Sequence, residues 1–255
     1  VENHEPLTIE RLLSWHKKIS VETPGIKRGL FRDDSVYIMS GRYKNSEIIY
    51  EAPPASKVGM MMDEFISFVN SSLYSDPVMA AIAHYYLVAI HPFGDGNGRV
   101  ARIVSDYVMN RSNEGFPSVF VSSEIKKKQS EYYSILNRIS AGSSMDITEW
   151  VAWFLERMID SYVAAIARIQ DSFRMKAFWE RAREHNLNAR QLKFLGKVLD
   201  EDWKGAITAK KYAAITECHP DTANRDLRKL VGYGLIVKEE GGSKNTHYSV
   251  LIDPC

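Results

Sequence analysis

Twelve consecutive residues, His91-Pro92-Phe93-Gly94-Asp95-Gly96-Asn97-Gly98-Arg99-Val100-Ala101-Arg102, bring together an imidazole, a carboxylate, flexible glycines, an amide and two guanidiniums. An apolar run from Val78 to Ile90 precedes them and a helix-compatible run from Ile103 to Asn110 follows, so the segment reads as helix, short loop, helix. The start of the second helix offers unpaired N–H groups and the positive end of the helix dipole to an anion. Gly96 and Gly98 let phosphate oxygens approach those groups and permit positive φ. Asn97 has an amide to donate to a phosphate oxygen or to cap the helix. Arg99 and Arg102, three apart, project from one helix face, and a planar guanidinium takes two oxygens at once. Asp95 offers the hard oxygen ligand that Mg²⁺ takes when it bridges a carboxylate and phosphates. His91, closing the preceding helix, is placed to take a proton from an attacking hydroxyl near neutral pH. These are the parts of a nucleotidyl-transfer site. A Gly-Asn-Gly turn alone is more often just a turn, and paired arginines more often a solvated face; the ordered combination argues for function. His84, seven residues earlier among Ala83, Tyr85, Tyr86 and Leu87, reads instead as a satisfied core histidine.

The elements that must carry this loop are mostly helical. Thr8 to Ile19 is amphipathic, with Ile9, Leu12, Leu13 and Trp15 near one face and Thr8 as a cap. Val21 to Asp34 reads as loop. Two short β-like runs, Ser35 to Met39 and Glu47 to Glu51, form a candidate hairpin that Pro53-Pro54 ends. Helices are predicted from Ser56 to Asn70, Pro77 to Ile90, Glu124 to Ile139 and Thr148 to Ile169. The fold class is therefore mainly α: a helical bundle decorated by one hairpin.

The 255 residues are 45% hydrophobic and 25% charged, ordinary for a globular chain with a real core, and the length allows one large domain or two smaller ones. A net charge of +1 gives no global field favouring nucleic acid or membrane. Cys218 and Cys255 form no disulfide framework and fit a reducing cytoplasm. The Val78–Ile90 run is too short to span a bilayer, and no signal peptide is visible, so a cytoplasmic location without membrane contact is expected.

The run from His91 to Arg102 resembles the signature of the Fic family, His-x-Phe-x-(Asp/Glu)-Gly-Asn-Gly-Arg-x-x-Arg, at every defined position. The resemblance implies transfer of AMP from ATP to a Ser, Thr or Tyr hydroxyl of a target protein, with automodification among the outcomes. It implies His91 as general base and Asp95 as the Mg²⁺ ligand. Gly96, Asn97 and Gly98 would hold the α-phosphate, Arg99 and Arg102 the outer phosphates, and Phe93 would anchor the loop in the core. In this family a hairpin called the flap covers the site and takes target segments by strand addition; here that flap would be residues 35–51, with Ile49 and Tyr50 on its inner strand beside the nucleotide. Tyr132-Tyr133 resembles the aromatic position near adenine, with Tyr133 as the stacking ring. Rare relatives transfer UMP, phosphate or phosphocholine, so the base and group remain alternatives at this point.

The C-terminal part reads differently. Leu187-Asn188 opens a helix ending near Asp200, helices follow at Thr208 to Ile215 and Pro220 to Val231, and short strands at Leu235 to Glu239 and Thr246 to Leu251 flank Gly241-Gly242-Ser243-Lys244. Three helices and a β-wing are the order of a winged helix. Asp221-Thr222-Ala223-Asn224-Arg225-Asp226-Leu227 resembles the recognition helix of winged helices fused to Fic domains, a likeness that extends upstream through Lys176-Ala177-Phe178-Trp179. The expected domains are a Fic catalytic domain at 1–170, a connecting helix at 171–186 and a winged helix at 187–255. Asp221, Thr222, Asn224 and Arg225 would lie at base edges if the module met DNA. Residues 187–255 hold 11 Lys/Arg against 9 Asp/Glu, little for phosphate neutralisation, and Ser243 stands where an arginine is usual in the wing. A dimer or target contact is the other use of such a module, and a nucleotide-sensing DNA-binding regulator is the competing function. Finally, many Fic proteins carry an inhibitory helix, (Ser/Thr)-x-x-x-Glu-(Gly/Asn), whose glutamate pairs with the second signature arginine. No such pattern occurs in 1–255, and the chain begins at Val1, so the resemblance predicts a derepressed fragment of a self-inhibited enzyme.

Overall fold

The computed structural model of the chain describes residues 5–20, 26–40, 47–71, 73–111, 121–141, 146–200, 203–239 and 246–252. They form two compact units, Val1–Ala165 and Ile166–Cys255.

In the first unit, α1 (Ile9–Ile19) starts at Thr8, whose hydroxyl accepts the Arg11 N–H at 3.2 Å, and turns Leu12 and His16 inward. Strands β1 (Tyr37–Ser40) and β2 (Glu47–Glu51) pair antiparallel, Tyr37 opposite Glu51, with a register shift between Ile38 and Met39. The expected turn at 41–46 lies outside the described residues, as do 21–25. Helices α2 (Ala55–Val69), α3 (Asp76–Ile90) and α4 (Asn97–Asn110) follow. Helix α3 buries Met79, Ala80, Ala83, His84, Leu87 and Ile90, which lie on more than one face, and so runs through the core. Helix α4 lies against it, burying Val100, Val104 and Val108. Trp150 and Phe154 close the core from a later helix, and the Trp150 indole N–H is satisfied by Ala81 O at 2.7 Å.

The single helix expected at Glu124 to Ile139 is two: α5 (Ser122–Lys127) and α6 (Gln129–Ala141). Lys128 leaves helical geometry (φ −112°, ψ 33°) and its N–H is shared between the carbonyls of Glu124 and Ile125, a break that no glycine or proline announces. The reverse occurs at α7, which runs unbroken from Thr148 to Arg183. The segment expected as a separate connecting helix is its last part, since no glycine or proline interrupts 148–183.

The second unit packs Phe178 and Ala182 of α7 with α8 (Ala189–Val198), α9 (Ala209–Thr216) and α10 (Pro220–Gly232). Asn188 and Gln191 form a reciprocal capping box, and Thr208 caps α9. Strands β3 (Ile236–Lys238) and β4 (Tyr248–Val250) pair antiparallel, and Ile207 adds a single antiparallel bridge to Tyr248 that the sequence pattern did not show. Asp226, 3% exposed, ties the three helices together by accepting from Asn188, Arg190 and Tyr212 at 3.0–3.1 Å. The segment 240–245, which includes the whole expected wing turn, lies outside the described residues.

Candidate functional site

The helix–loop–helix expected around the twelve-residue motif is present, and a tight turn shapes it. His91 ends α3 in the left-handed region (φ 52°, ψ 56°), and Gly96 starts α4 with φ 86°, a value that a side chain would strain. The turn is closed from inside by Asn97. Its Oδ1 accepts the Phe93 N–H at 2.9 Å and its Nδ2 donates to Phe93 O at 2.8 Å, with the residue 3% exposed. The expected phosphate donor therefore spends its amide on the loop, and what residue 97 offers an anion is its backbone N–H at the helix start. Phe93 is fully buried, the anchor expected of it.

Around this turn lies a cavity of about 620 Å³ lined by His91, Asp95, Gly96, Asn97, Gly98, Arg99, Arg102, Tyr50 and Tyr133, which includes every expected site residue except Ile49. The side chain of Ile49 lies outside the described residues. Tyr133 is 54% exposed at the cavity wall, its ring edge-on to Tyr132 (5.1 Å, 73°), while Tyr132 is 5% exposed and turned inward. Tyr50 lines the cavity with its ring and donates its hydroxyl to Ala89 O at 2.5 Å.

The two arginines differ. Arg99 donates to Ile19 O at 2.8 Å and pairs with the Asp95 carboxylate at 2.9 Å. No hydrogen bond or ion pair among the described residues engages the Arg102 guanidinium, which lines the cavity. One turn on, burial pushes the Asp106 carboxyl up to about 7, against the pull of Arg102.

The His91 Nδ1 sits 3.2 Å from Val88 O. A carbonyl only accepts, so Nδ1 carries the proton and the neutral ring leaves Nε2 with its lone pair. Burial pushes the imidazole below its ordinary 6.5, partly offset by its bond to Val88, so the ring is neutral at pH 7. His84 is core, as expected: it is fully buried, bonded to Ser105 and Tyr132 at 3.2 Å each, and burial pushes it down to about 3.

Two residues of this site carry no motif and were missed. His16 stacks on Phe93 (3.8 Å, 12°), accepts the Gly29 N–H on Nδ1 and donates Nε2–H to Asp95 O. Arg32, 7% exposed, donates Nε–H to His91 O at 2.7 Å. Nothing in the local sequence marks either residue, because their partners at the site lie 79 and 59 residues away.

Asp95 has one oxygen on the Gly96 N–H and the other on Arg99, with its side chain 54% exposed. Among the described residues no cluster of three or more His, Cys, Asp or Glu side chains is placed to hold a metal. A single accessible carboxylate beside a helix start fits Mg²⁺ brought with phosphates, and does not fit a cage built by the protein alone.

The arrangement is that of a Fic fold. Residues 6–109 match the Fic/DOC family model. They form a Fic domain with homology to Fic protein adenylyltransferases. The chain is 32% identical over 174 residues to protein adenylyltransferase fic-1 of Caenorhabditis elegans, covering 66% of this chain and 31% of that protein. It is 28% identical over 172 residues to protein adenylyltransferase Fic of Aedes aegypti, covering 66% and 32%. The chain thus spans about a third of the length of the curated relatives it matches. Among solved structures, a Fic-domain-containing signalling protein of Bacteroides thetaiotaomicron aligns at TM-score 0.50 and 25% identity, over 64% of this chain and 63% of that one. A Fic family protein of Desulfovibrio desulfuricans aligns at TM-score 0.54 and 20% identity over 96% and 69%, a likeness of fold. Among the described residues no helix is long and apolar enough to cross a membrane.

Proposed function

We propose that the chain transfers AMP from ATP to a Ser, Thr or Tyr hydroxyl of a protein. The observation that carries this reading is that His91, whose Nε2 has no hydrogen-bond partner among the described residues, shares one cavity with the α4 N-terminus and with Arg102, which is unpaired among the same residues. The incoming hydroxyl oxygen bonds the α-phosphorus, the bond from that phosphorus to its bridging oxygen breaks, and pyrophosphate leaves. The hydroxyl proton passes to Nε2 of His91. The backbone amides of Asn97 and Gly98 take the α-phosphate, and Arg102, assisted by Arg99, takes the outer phosphates. The exposed ring of Tyr133 gives adenine a stacking face in the cavity that Tyr50 also lines. Asp95 would hold Mg²⁺, which supplies charge neutralisation along the phosphate chain.

The target docks on the hairpin at 35–51. Each of its two strands pairs only with the other among the described residues, which leaves outer edges for an extended peptide. Automodification is the same reaction with a hydroxyl of this chain. The second unit we read as a winged helix, three helices and a hairpin with Ile207 as the extra strand position. Arg225, Arg228 and Lys229 are exposed on α10, but a net of +2 across 187–255 favours a protein or a second copy over DNA as its partner. The nucleotide-sensing DNA regulator is the second reading, and weak salt dependence of any DNA binding counts against it.

Labelled ATP separates the chemistries. AMP transfer puts label from the α-phosphate on protein and none from the γ-phosphate; phosphate transfer gives the opposite. Nucleotide bound without any protein labelling would favour the sensor.

A further inference from the structure

The last carbonyls of a helix have no partner within it. At the end of α3, which delivers His91, their donors can be accounted for one by one. The His91 N–H bonds Leu87 O at 3.0 Å, and His91 Nδ1 takes Val88 O. The Tyr50 hydroxyl takes Ala89 O. Arg32 supplies the rest: Nη2 reaches Ile90 O at 3.5 Å, Nε donates to His91 O at 2.7 Å, and its backbone N–H bonds Pro92 O at 2.9 Å. The outer donors thus come from the hairpin and from the segment leading into it.

The same guanidinium also donates to Asp34 O at 2.8 Å and to Pro53 O. Those two carbonyls flank the hairpin on entry and on exit, and the Ala52 N–H to Val36 O bond at 3.0 Å closes the ladder between them. One buried fork therefore holds both ends of the hairpin and the residue that carries the imidazole. His91 needs such support, because a left-handed conformation is unfavourable for a residue with a side chain. A cation there also meets the negative end of the α3 dipole.

We propose that Arg32 is a positioning residue that couples the hairpin to His91, so that a segment pairing with the hairpin is registered at the imidazole through this guanidinium. What the imidazole then does rests on the transfer reading above; the coupling itself does not. Lysine cannot replace the function fully, since a single ammonium lacks the planar fork that addresses separate carbonyls in fixed directions.

The test is amide exchange and transfer kinetics on the intact chain carrying Arg32→Lys or Arg32→Met. In Arg32→Met, exchange at residues 88–93 and at 47–52 quickens together, by about tenfold or more, while α2 and the start of α4 keep their protection. Arg32→Lys shows the same pattern more weakly. Transfer kcat falls by roughly a hundredfold in Arg32→Met and is partly restored in Arg32→Lys. The KM for ATP stays within about twofold in both, because Arg32 bonds residues 90–92 and makes no bond to the α4 N-terminus at 96–98. A merely structural role would loosen α2 as well and would not split kcat from KM. Unchanged exchange at 88–93 in both variants, or quickening in one segment without the other, overturns the coupling. If Arg32→Met does not fold, Arg32→Lys decides by the same exchange criterion. A wild-type chain that labels no protein sinks the transfer reading, and the exchange result still decides the coupling.

Discussion

His16 holds Asp95 by its backbone: Nε2–H donates to Asp95 O at 3.0 Å while Nδ1 accepts the Gly29 N–H at 2.9 Å. Only the neutral ring makes both bonds, and burial pushes His16 below its ordinary 6.5. His16→Phe keeps the stack on Phe93 and removes both hydrogen bonds. The expected loss is about 2 kcal/mol of stability, with weaker ATP binding as the Asp95 turn loosens. Urea unfolding and calorimetry read the two effects; an unchanged unfolding midpoint contradicts the assignment.

Removing the proposed base tests the chemistry separately from binding. His91→Ala is expected to lower AMP transfer by about 10²–10⁴-fold while ATP affinity is largely kept. The pH profile carries a sign. The neutral ring is the active form and its pKa lies below 6.5, so wild-type activity persists through pH 7 and falls only at more acid pH. An acid limb centred above 7 contradicts the buried, Val88-bonded imidazole.

Asp95→Asn separates a metal ligand from a structural acid. As a ligand, its loss lowers turnover and weakens the dependence of rate on Mg²⁺ concentration. As a partner of Arg99 in a half-exposed pair it contributes on the order of 0.5 kcal/mol, so the fold survives the change. An unchanged metal titration together with a stability loss of about 1 kcal/mol would make it a capping acid instead.

His84 and Asp106 titrate in opposite directions. His84, pushed down to about 3, binds its proton more readily in the unfolded chain, so folding stability falls as pH drops from 6.5 towards 3, by up to about 1.4 kcal/mol per unit. Asp106, pushed up to about 7, keeps its proton longer when folded, so stability falls as pH rises from 3.8 to 7. Asp106→Asn is therefore expected to stabilise the chain at pH 8 relative to wild type and to have little effect at pH 3.5. Unfolding midpoints at the two pH values decide it; a destabilised variant at pH 8 contradicts the buried carboxyl.

The motif was legible because its residues are contiguous: one loop holds the glycines, the acid and both arginines, and local chain geometry places them. The hairpin, the cap at Thr8 and the helix starts near Asn188 and Thr208 were legible for the same reason, each being a short-range pattern. What escaped was non-local. His16 and Arg32 reach Asp95 and His91 across 79 and 59 residues, and no spacing in the sequence reports such a contact. Asn97 shows the limit of residue chemistry, since its side chain suits phosphate yet the fold uses its carbonyl and one amide N–H to clasp Phe93. The break at Lys128 and the unbroken α7 were misjudged at boundaries where neither glycine nor proline marks a change.

The central claim is that this cavity moves AMP onto protein with His91 as base. Incubating the chain, and its His91→Ala variant, with α-phosphate-labelled ATP and cell lysate tests it most directly. The account predicts labelled protein bands with the wild-type chain and none with His91→Ala, although both bind ATP. Equal labelling by the two, or none by a wild-type chain that binds ATP, contradicts it.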